Sequence, residues 1–216
     1  MDYTKIIKEV GRGKNHARDV DQATAYELYS AMLRGDVPEL ELGGLLIAFR
    51  IKGESEAEML GFYQAMNEHV LRLTPPAGFP MPIVLPSYNG ARKQANLTPL
   101  LALLLAKLGF PVVVHGVSDD PTRVTSAEIL RNLGVTIAES AEQAQQELDN
   151  GSPVFIPVST LCPAIDRQLQ LRWRMGVRNS SHTLAKVAMP FGESEALRVA
   201  SVSPVGRAAG RGRVQL

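Results

Sequence analysis

The stretch PIVLPSYNGARKQANLTPLLALLLAKLGFPVVVHG, residues 82–116, decides the fold. Two short apolar runs, Ile83 to Leu85 and Val112 to Val114, flank a leucine-rich helical segment that starts at Asn96. Strand, helix, strand is the grammar of a βαβ unit, because parallel neighbours need a crossover connection. The pattern continues downstream. A Thr125/Glu128 capping box opens a helix that ends at Gly134, and Val135 to Ile137 reads as a strand. Ser140 and Gln143 cap a further helix, and Val154 to Val158 is another strand. The expectation is a mostly parallel α/β domain over residues 83–216, its sheet covered by helices.

Upstream the period changes. After Asp21, an N-cap residue type, Ala25, Leu28, Tyr29, Met32 and Leu33 fall on one helical face, and Gly35 stops the helix. A second helix over 39–52 presents Leu42, Leu45, Leu46 and Phe49, with Gly43 and Gly44 available for close backbone approach, and ends at Gly53. Ser55 and Glu58 form a capping box ahead of Met59, Phe62, Tyr63 and Met66. Three helices with short links predict a helical bundle over residues 1–74. Residues 75–82 hold four prolines and Gly78, disfavour helix and central strand alike, and are expected to be the hinge.

Composition excludes several classes. With 216 residues, 45% hydrophobic and 21% charged, the chain can bury a core and is not disordered. The single cysteine, Cys162, cannot form an internal disulfide, and the absence of an export segment implies the cytoplasm. The longest apolar run, Leu97 to Leu108, is interrupted and too short to cross a bilayer. The four histidines show no paired ligand spacing, which argues against zinc. His115 reads as a turn residue and Cys162 as a buried small side chain. The formal net charge is only +1, but the signs segregate. Acids lead from Asp21 to Glu68, whereas Lys5, Lys8, Arg12, Lys14 and Arg18 crowd the start, and Arg167, Arg172, Arg174, Arg178, Lys186 and Arg198 crowd residues 167–198. The second group is a candidate anion-binding zone.

Tyr26-Glu27-Leu28, Arg34-Gly35, Ala48 to Glu54 and Glu58, followed by Asn96-Leu97-Thr98, Val114-His115-Gly116, Leu133-Gly134-Val135 and Met175-Gly176-Val177-Arg178, resemble the anthranilate phosphoribosyltransferases (glycosyl transferase family 3) in order and spacing. The resemblance runs to about Val202. It implies a dimer interface on the N-terminal helices and a site for phosphoribosyl diphosphate and magnesium at the carboxyl edge of the sheet. The departures matter more. Where those enzymes carry Gly-Thr-Gly-Gly-Asp, this chain reads Pro86-Ser87-Tyr88-Asn89-Gly90, and where they carry Lys-His-Gly-Asn it has Val114 and Val117 around His115 and Gly116. A Cβ blocks close approach of phosphate to backbone and proline supplies no N–H. Ser87, Asn89, Gly90, Asn96, Thr98, His115 and Gly116 are therefore expected to form a degenerate phosphate-sugar site, with no metal ligands and no catalytic residue.

Residues 11–19 and the block Gly176 to Thr183 resemble the YbiB-type branch, which keeps the transferase scaffold and implies nucleic-acid binding. The expected contacts to single-stranded DNA or RNA are Arg12, Lys14, Arg18, Arg92, Lys93, Arg167, Arg172, Arg174 and Arg178, with Trp173 available to stack a base. Each also has a plain reading as a solvated surface charge, and Trp173 as core. No cofactor is expected; the alternative is a phosphoribosyl or glycosyl transferase for a small aromatic acceptor, using magnesium with phosphoribosyl diphosphate, with Arg172 holding the acceptor. Pro204 to Leu216 read either as a basic tail or, the favoured reading, as the product of a truncation or frame change that shortens the α/β domain.

Overall fold

The computed structural model describes residues 1–13, 15–90 and 95–199. The chain divides into two compact units, residues 1–65 and residues 66–200, the second described to Val199.

The first unit is helical. Helix α1 (Tyr3–Val10) is capped by Asp2, whose carboxylate accepts from Lys5 N at 3.0 Å, and it buries Ile6 and Val10. Reading this segment as a solvated basic arm misses the helix, although Asp2 and the spacing of Tyr3, Ile6, Ile7 and Val10 mark it. Helix α2 (Gln22–Arg34) starts where expected, with Asp21 accepting from Thr24 N at 2.7 Å, and ends at Gly35 in the left-handed region. Helices α3 (Glu39–Lys52) and α4 (Glu56–Asn67) follow, and Ser55 and Glu58 exchange the two bonds of the capping box. Tyr29 stacks on Phe62 at 4.7 Å and Phe49 meets the same ring edge-on at 5.2 Å; all three are buried. Burial of such rings contributes about 1.5–3 kcal/mol each. The close helix approach falls at Gly61 rather than at Gly43 or Gly44. A Cβ on Gly61 would overlap the Gln22 carbonyl oxygen and stand 2.7 Å from Tyr26 N, whereas Gly44 meets only Ile7 at 3.7 Å.

Among the described residues, the second unit carries a parallel sheet of five strands in the order β3-β4-β2-β1-β5. These are β1 (Ile83–Ser87), β2 (Val112–Gly116), β3 (Thr136–Ile137), β4 (Val154–Pro157) and β5 (Leu197–Arg198). The crossovers are α5 (Thr98–Lys107), α6 (Ser126–Asn132) and α7 (Ala141–Asp149), the latter two capped by Thr125 and Ser140. Ile83, Leu85, Val112, Val114 and Phe155 pack with Ala102, Ala127 and Leu130 in one buried cluster. Both sheet faces are covered, which is why the strands read as continuous apolar runs. Helix α5 turns Leu100, Leu104 and Leu108 outward and Ala102 inward.

Residues 75–82, expected as the hinge, lie inside this second unit. Leu73 N donates to Pro190 O at 2.8 Å, and Thr74 exchanges two 2.9 Å bonds with the Gln145 amide, so the entry to the proline segment is tied to later elements of the same unit. After β4 come α8 (Val158–Leu161), α9 (Pro163–Met175) and α10 (Ser181–Leu184), then a 3-10 turn, Ala185–Val187. Arg198, counted with the basic zone, points inward instead and donates to Val187 O at 2.6 Å.

Candidate functional site

Parallel strands deliver their carboxyl ends to one edge of a sheet. Register pairs Ser87 with Gly116 and Gly116 with Pro157, so the loops after β1, β2 and β4 emerge side by side. With α9 and α10 they enclose a cavity of about 520 Å³. Tyr88 and Asn89 come from the first loop, Val117 to Pro121 from the second, and Val158 and Ser159 from the third. Arg172, Trp173, Arg178, His182 and Lys186 complete the wall.

The degenerate phosphate-sugar residues are brought together, but they bond to one another. Ser87 Oγ lies 2.6 Å from Ser126 Oγ, which also accepts from Asn96 Nδ2 at 3.0 Å, and Asn96 Oδ1 accepts from Thr98 N at 3.3 Å. Ser126, at the first turn of α6, has no signal in the sequence. His115 is the penultimate residue of β2 and fully buried, not a turn residue. Its Nδ1 lies 2.8 Å from the Tyr88 hydroxyl and the rings meet edge-on. Burial raises the Tyr88 pKa well above its usual value, with the nearby Cys162 and Asp166 adding to the rise, so the phenol stays protonated. The hydroxyl donates to Nδ1 or accepts from it according to the His115 tautomer. His115 Nε2 has no partner in hydrogen-bond geometry, although the Ala188 carbonyl favours the protonated ring.

These residues do not fit a diphosphate cradle. Pro86 has no N–H, and Tyr88 turns inward. A Cβ on Gly116 would overlap the Ser87 carbonyl oxygen, and one on Gly90 would stand 2.5 Å from the Val124 carbonyl oxygen. The two surviving glycines thus accommodate neighbouring backbone rather than an anion. Among the described residues, no three His, Cys, Asp or Glu side chains are grouped to hold a metal ion.

The basic zone is divided by helical geometry. Seven residues bring Arg167 and Arg174 onto one face of α9 about 20° apart, while Arg172 lies about 140° from Arg167. Arg172 and Arg178 line the cavity; Arg167 and Arg174 are exposed outside it. Arg172 and Arg174 occupy the last turn of α9, where cations oppose the helix dipole favourably, and Gly176 closes the helix in the left-handed region. The Arg172 guanidinium sits 4.4 Å over the Trp173 ring, and the indole remains 55% exposed, so the core reading of Trp173 fails. Arg178 donates to Asn89 Oδ1 at 3.1 Å, tying the first loop to the segment after α9.

Lys186, counted with the basic zone, and His182, which the residue patterns do not single out, join this wall. Burial and then the charges of Arg178, Arg172 and Lys186 lower the His182 pKa to about 4, against the opposing effect of the Asn179 backbone. Burial and Arg178 likewise lower that of Lys186. Asp119, Asp120 and Asp166 stand elsewhere around the same cavity. Burial alone would raise the Asp120 pKa, but Thr122 N at 2.9 Å, Thr122 Oγ1 at 2.8 Å and the charges of Arg123 and Arg172 outweigh it and lower it. The cavity wall therefore carries both cationic and carboxylate groups.

Burial holds the His115 pKa down at about 3, with Arg198 adding to the effect. The unfolded chain takes up this proton near pH 6.5, so stability falls as pH drops from 6.5 towards 3, by about 1.4 kcal/mol per pH unit for a fully buried group. His182 adds a smaller slope down to about pH 4, because it is partly exposed. Urea melts at pH 7, 6 and 5 should show this loss, and His115→Gln should make it shallower; an unchanged slope would rule out His115 as its source.

In the first unit, Arg12 pairs with Glu9 at 3.0 Å and donates to Lys8 O, and Arg18 lies 3.7 Å from the same carboxylate. Glu9 neutralises part of the N-terminal basic group. Lys14, Arg92 and Lys93, and the tail from Pro204, lie outside the described residues.

Residues 4–70 match the helical bundle domain of the glycosyl transferase family. The chain is 69% identical over 203 residues to the Escherichia coli protein described as uncharacterized protein YbiB, covering 94% of this chain and 63% of that one. It is 28% identical over 190 residues to the anthranilate phosphoribosyltransferase of Saccharolobus solfataricus, covering 88% and 53%. The crystal structure of the Thermus thermophilus anthranilate phosphoribosyltransferase superposes with a TM-score of 0.72 at 25% identity, covering 92% of this chain and 58% of that one. The chain thus spans between half and two thirds of the length of these relatives. With the helical bundle domain of the glycosyl transferase family over residues 4–70 leading into a parallel α/β unit of this topology, the chain is anthranilate phosphoribosyltransferase-like.

Proposed function

We propose that the chain is a non-catalytic phosphoribosyltransferase-fold protein that binds single-stranded DNA or RNA with little sequence preference, acting in the cytoplasm. The observation that carries the reading is the Arg172–Trp173 pair. An exposed indole with a guanidinium stacked on it, Arg178 in the same cavity wall and Arg174 exposed next along α9, offers a base-stacking platform with cations for phosphate. Stacking tolerates any base, because every base has a π-face. The closed cradle around Tyr88, Gly90 and Gly116 supports the loss of transfer chemistry. Leu40, Ile47 and Ile51 lie exposed on α3, which supports a homodimer through the N-terminal helices. No helix among the described residues is long and apolar enough to cross a membrane.

Neutralising four phosphates of a single strand should give a slope of log affinity against log salt of about −3, at roughly −0.7 per phosphate. Titrating a labelled oligonucleotide at several salt concentrations measures it, and a flat response defeats the reading. The cavity itself, with Arg172 in its wall, favours one alternative, a phosphoribosyl or glycosyl transferase for a small aromatic acceptor. Calorimetry with phosphoribosyl diphosphate and magnesium separates the two: saturable micromolar binding promotes the transferase.

A further inference from the structure

A stacking platform on the surface leaves unexplained why a cavity stands directly behind it. Its volume of about 520 Å³ falls in the range of small-ligand pockets, roughly 300–1,000 Å³, and it is bounded by three strand-end loops and two helices.

The wall contributed by α10 and its flanks is cationic. Arg178, His182 and Lys186 all line it; burial first and the Arg178 charge second lower the proton affinity of the other two, and at pH 7 the His182 ring is neutral and offers a hydrogen bond. An anion set between Arg178 and Lys186 is attracted by both, and a doubly charged one more strongly. An internal phosphodiester carries one negative charge, whereas a phosphomonoester carries about −1.5 to −2 at pH 7. The Asp119, Asp120 and Asp166 carboxylates repel a phosphate and accept hydrogen bonds from sugar hydroxyls or base amino groups. Trp173 lines the cavity and is also open to solvent, so one indole serves both the enclosed space and the surface.

We propose that this cavity takes the terminal nucleotide of a strand that ends in a phosphomonoester, with the phosphate among Arg178, His182 and Lys186 and the base against Trp173. The inference rests on the nucleic-acid reading above and adds to it a preference for phosphorylated ends.

Trp173 is the only tryptophan in the chain, so its fluorescence reports on this site alone. The full chain is titrated with deoxyadenosine decamers bearing a 5′-phosphate, a 3′-phosphate or hydroxyls at both ends. Binding about tenfold tighter is expected for one phosphorylated decamer over the hydroxyl decamer, a factor that corresponds to about 1.4 kcal/mol. Which decamer gains identifies the end. Lys186→Ala and His182→Gln should each bring that ratio towards one, with circular dichroism melts confirming that the variants fold. Equal affinity for all three decamers overturns the terminal pocket and leaves the general nucleic-acid reading standing. A preference that survives in both folded variants also overturns the pocket. If no decamer binds at any salt concentration, the nucleic-acid reading itself fails and the terminal pocket with it.

Discussion

Alanine at Arg172, Arg174 and Arg178 together lowers the affinity for a single-stranded 20-mer by about two orders of magnitude at 0.1 M salt. The figure follows from three charge-assisted phosphate contacts at about 1 kcal/mol each, about 3 kcal/mol in all. The salt slope flattens by about 2 at the same time, at roughly 0.7 per lost phosphate contact. Because none of these side chains is asked to read a base edge, the loss should be the same for oligonucleotides of different sequence. Anisotropy titrations of wild type and variant over several salt concentrations measure all three quantities. Arg174, exposed on α9 outside the cavity, separates the surface contribution from the pocket: its single replacement should weaken every strand alike without altering end preference. A triple variant that binds within twofold of wild type would remove α9 from the interface.

Lys52→Met destabilises the first unit by about 3–5 kcal/mol, a large part of the 5–15 kcal/mol that a domain commonly has. Lys52 Nζ lies 2.7 Å from Glu58 Oε2 and 2.6 Å from Asp19 Oδ1, and it also donates to the Gly53 carbonyl at 2.8 Å. Glu58 is fully buried, and its side chain accepts from Val20 N at 2.9 Å and from Ser55 N at 2.7 Å. One carboxylate therefore fixes the segment that enters α2 to the turn between α3 and α4. Removing the ammonium leaves that carboxylate buried without its counter-charge, and this, more than the attraction lost, sets the cost. A Lys52→Met, Glu58→Gln double variant should recover part of the loss, because the amide still accepts one backbone N–H and no isolated charge remains. Urea melts followed by circular dichroism test both; a single variant within 1 kcal/mol of wild type would show that the network contributes little.

The same cluster illustrates what can be read along a chain. Ser55 and Glu58 are recognisable as a capping box because both partners lie within one turn, and the cap forms as expected. Nothing in the spacing shows that Glu58 also reaches Val20, 38 residues earlier. Likewise Pro86-Ser87-Tyr88 announces that a glycine cradle is missing, but not that the Tyr88 hydroxyl fills the space by bonding to His115, 27 residues later. The four arginines of residues 167–178 read as one patch; the 100° step of the helix turns Arg172 to the cavity and Arg167 and Arg174 away from it, while Arg178, beyond the end of α9, joins Arg172. Helix α1 carries a period, Tyr3, Ile6, Ile7 and Val10 at i, i+3, i+4 and i+7, which a reading of residues 1–18 by their basic charge passes over.

By itself the sequence determined the order and type of most elements, because caps, helical faces and β-branched runs act over a few residues and need no partner from elsewhere. Only the tertiary structure decided what stands at the sheet edge. Tyr88, Asp120, Arg172 and Lys186 share one cavity because parallel register aligns the ends of β1, β2 and β4, while α9 and α10 bring the cations up to them. That alignment depends on strand pairing between residues far apart in the chain, and no local pattern encodes it.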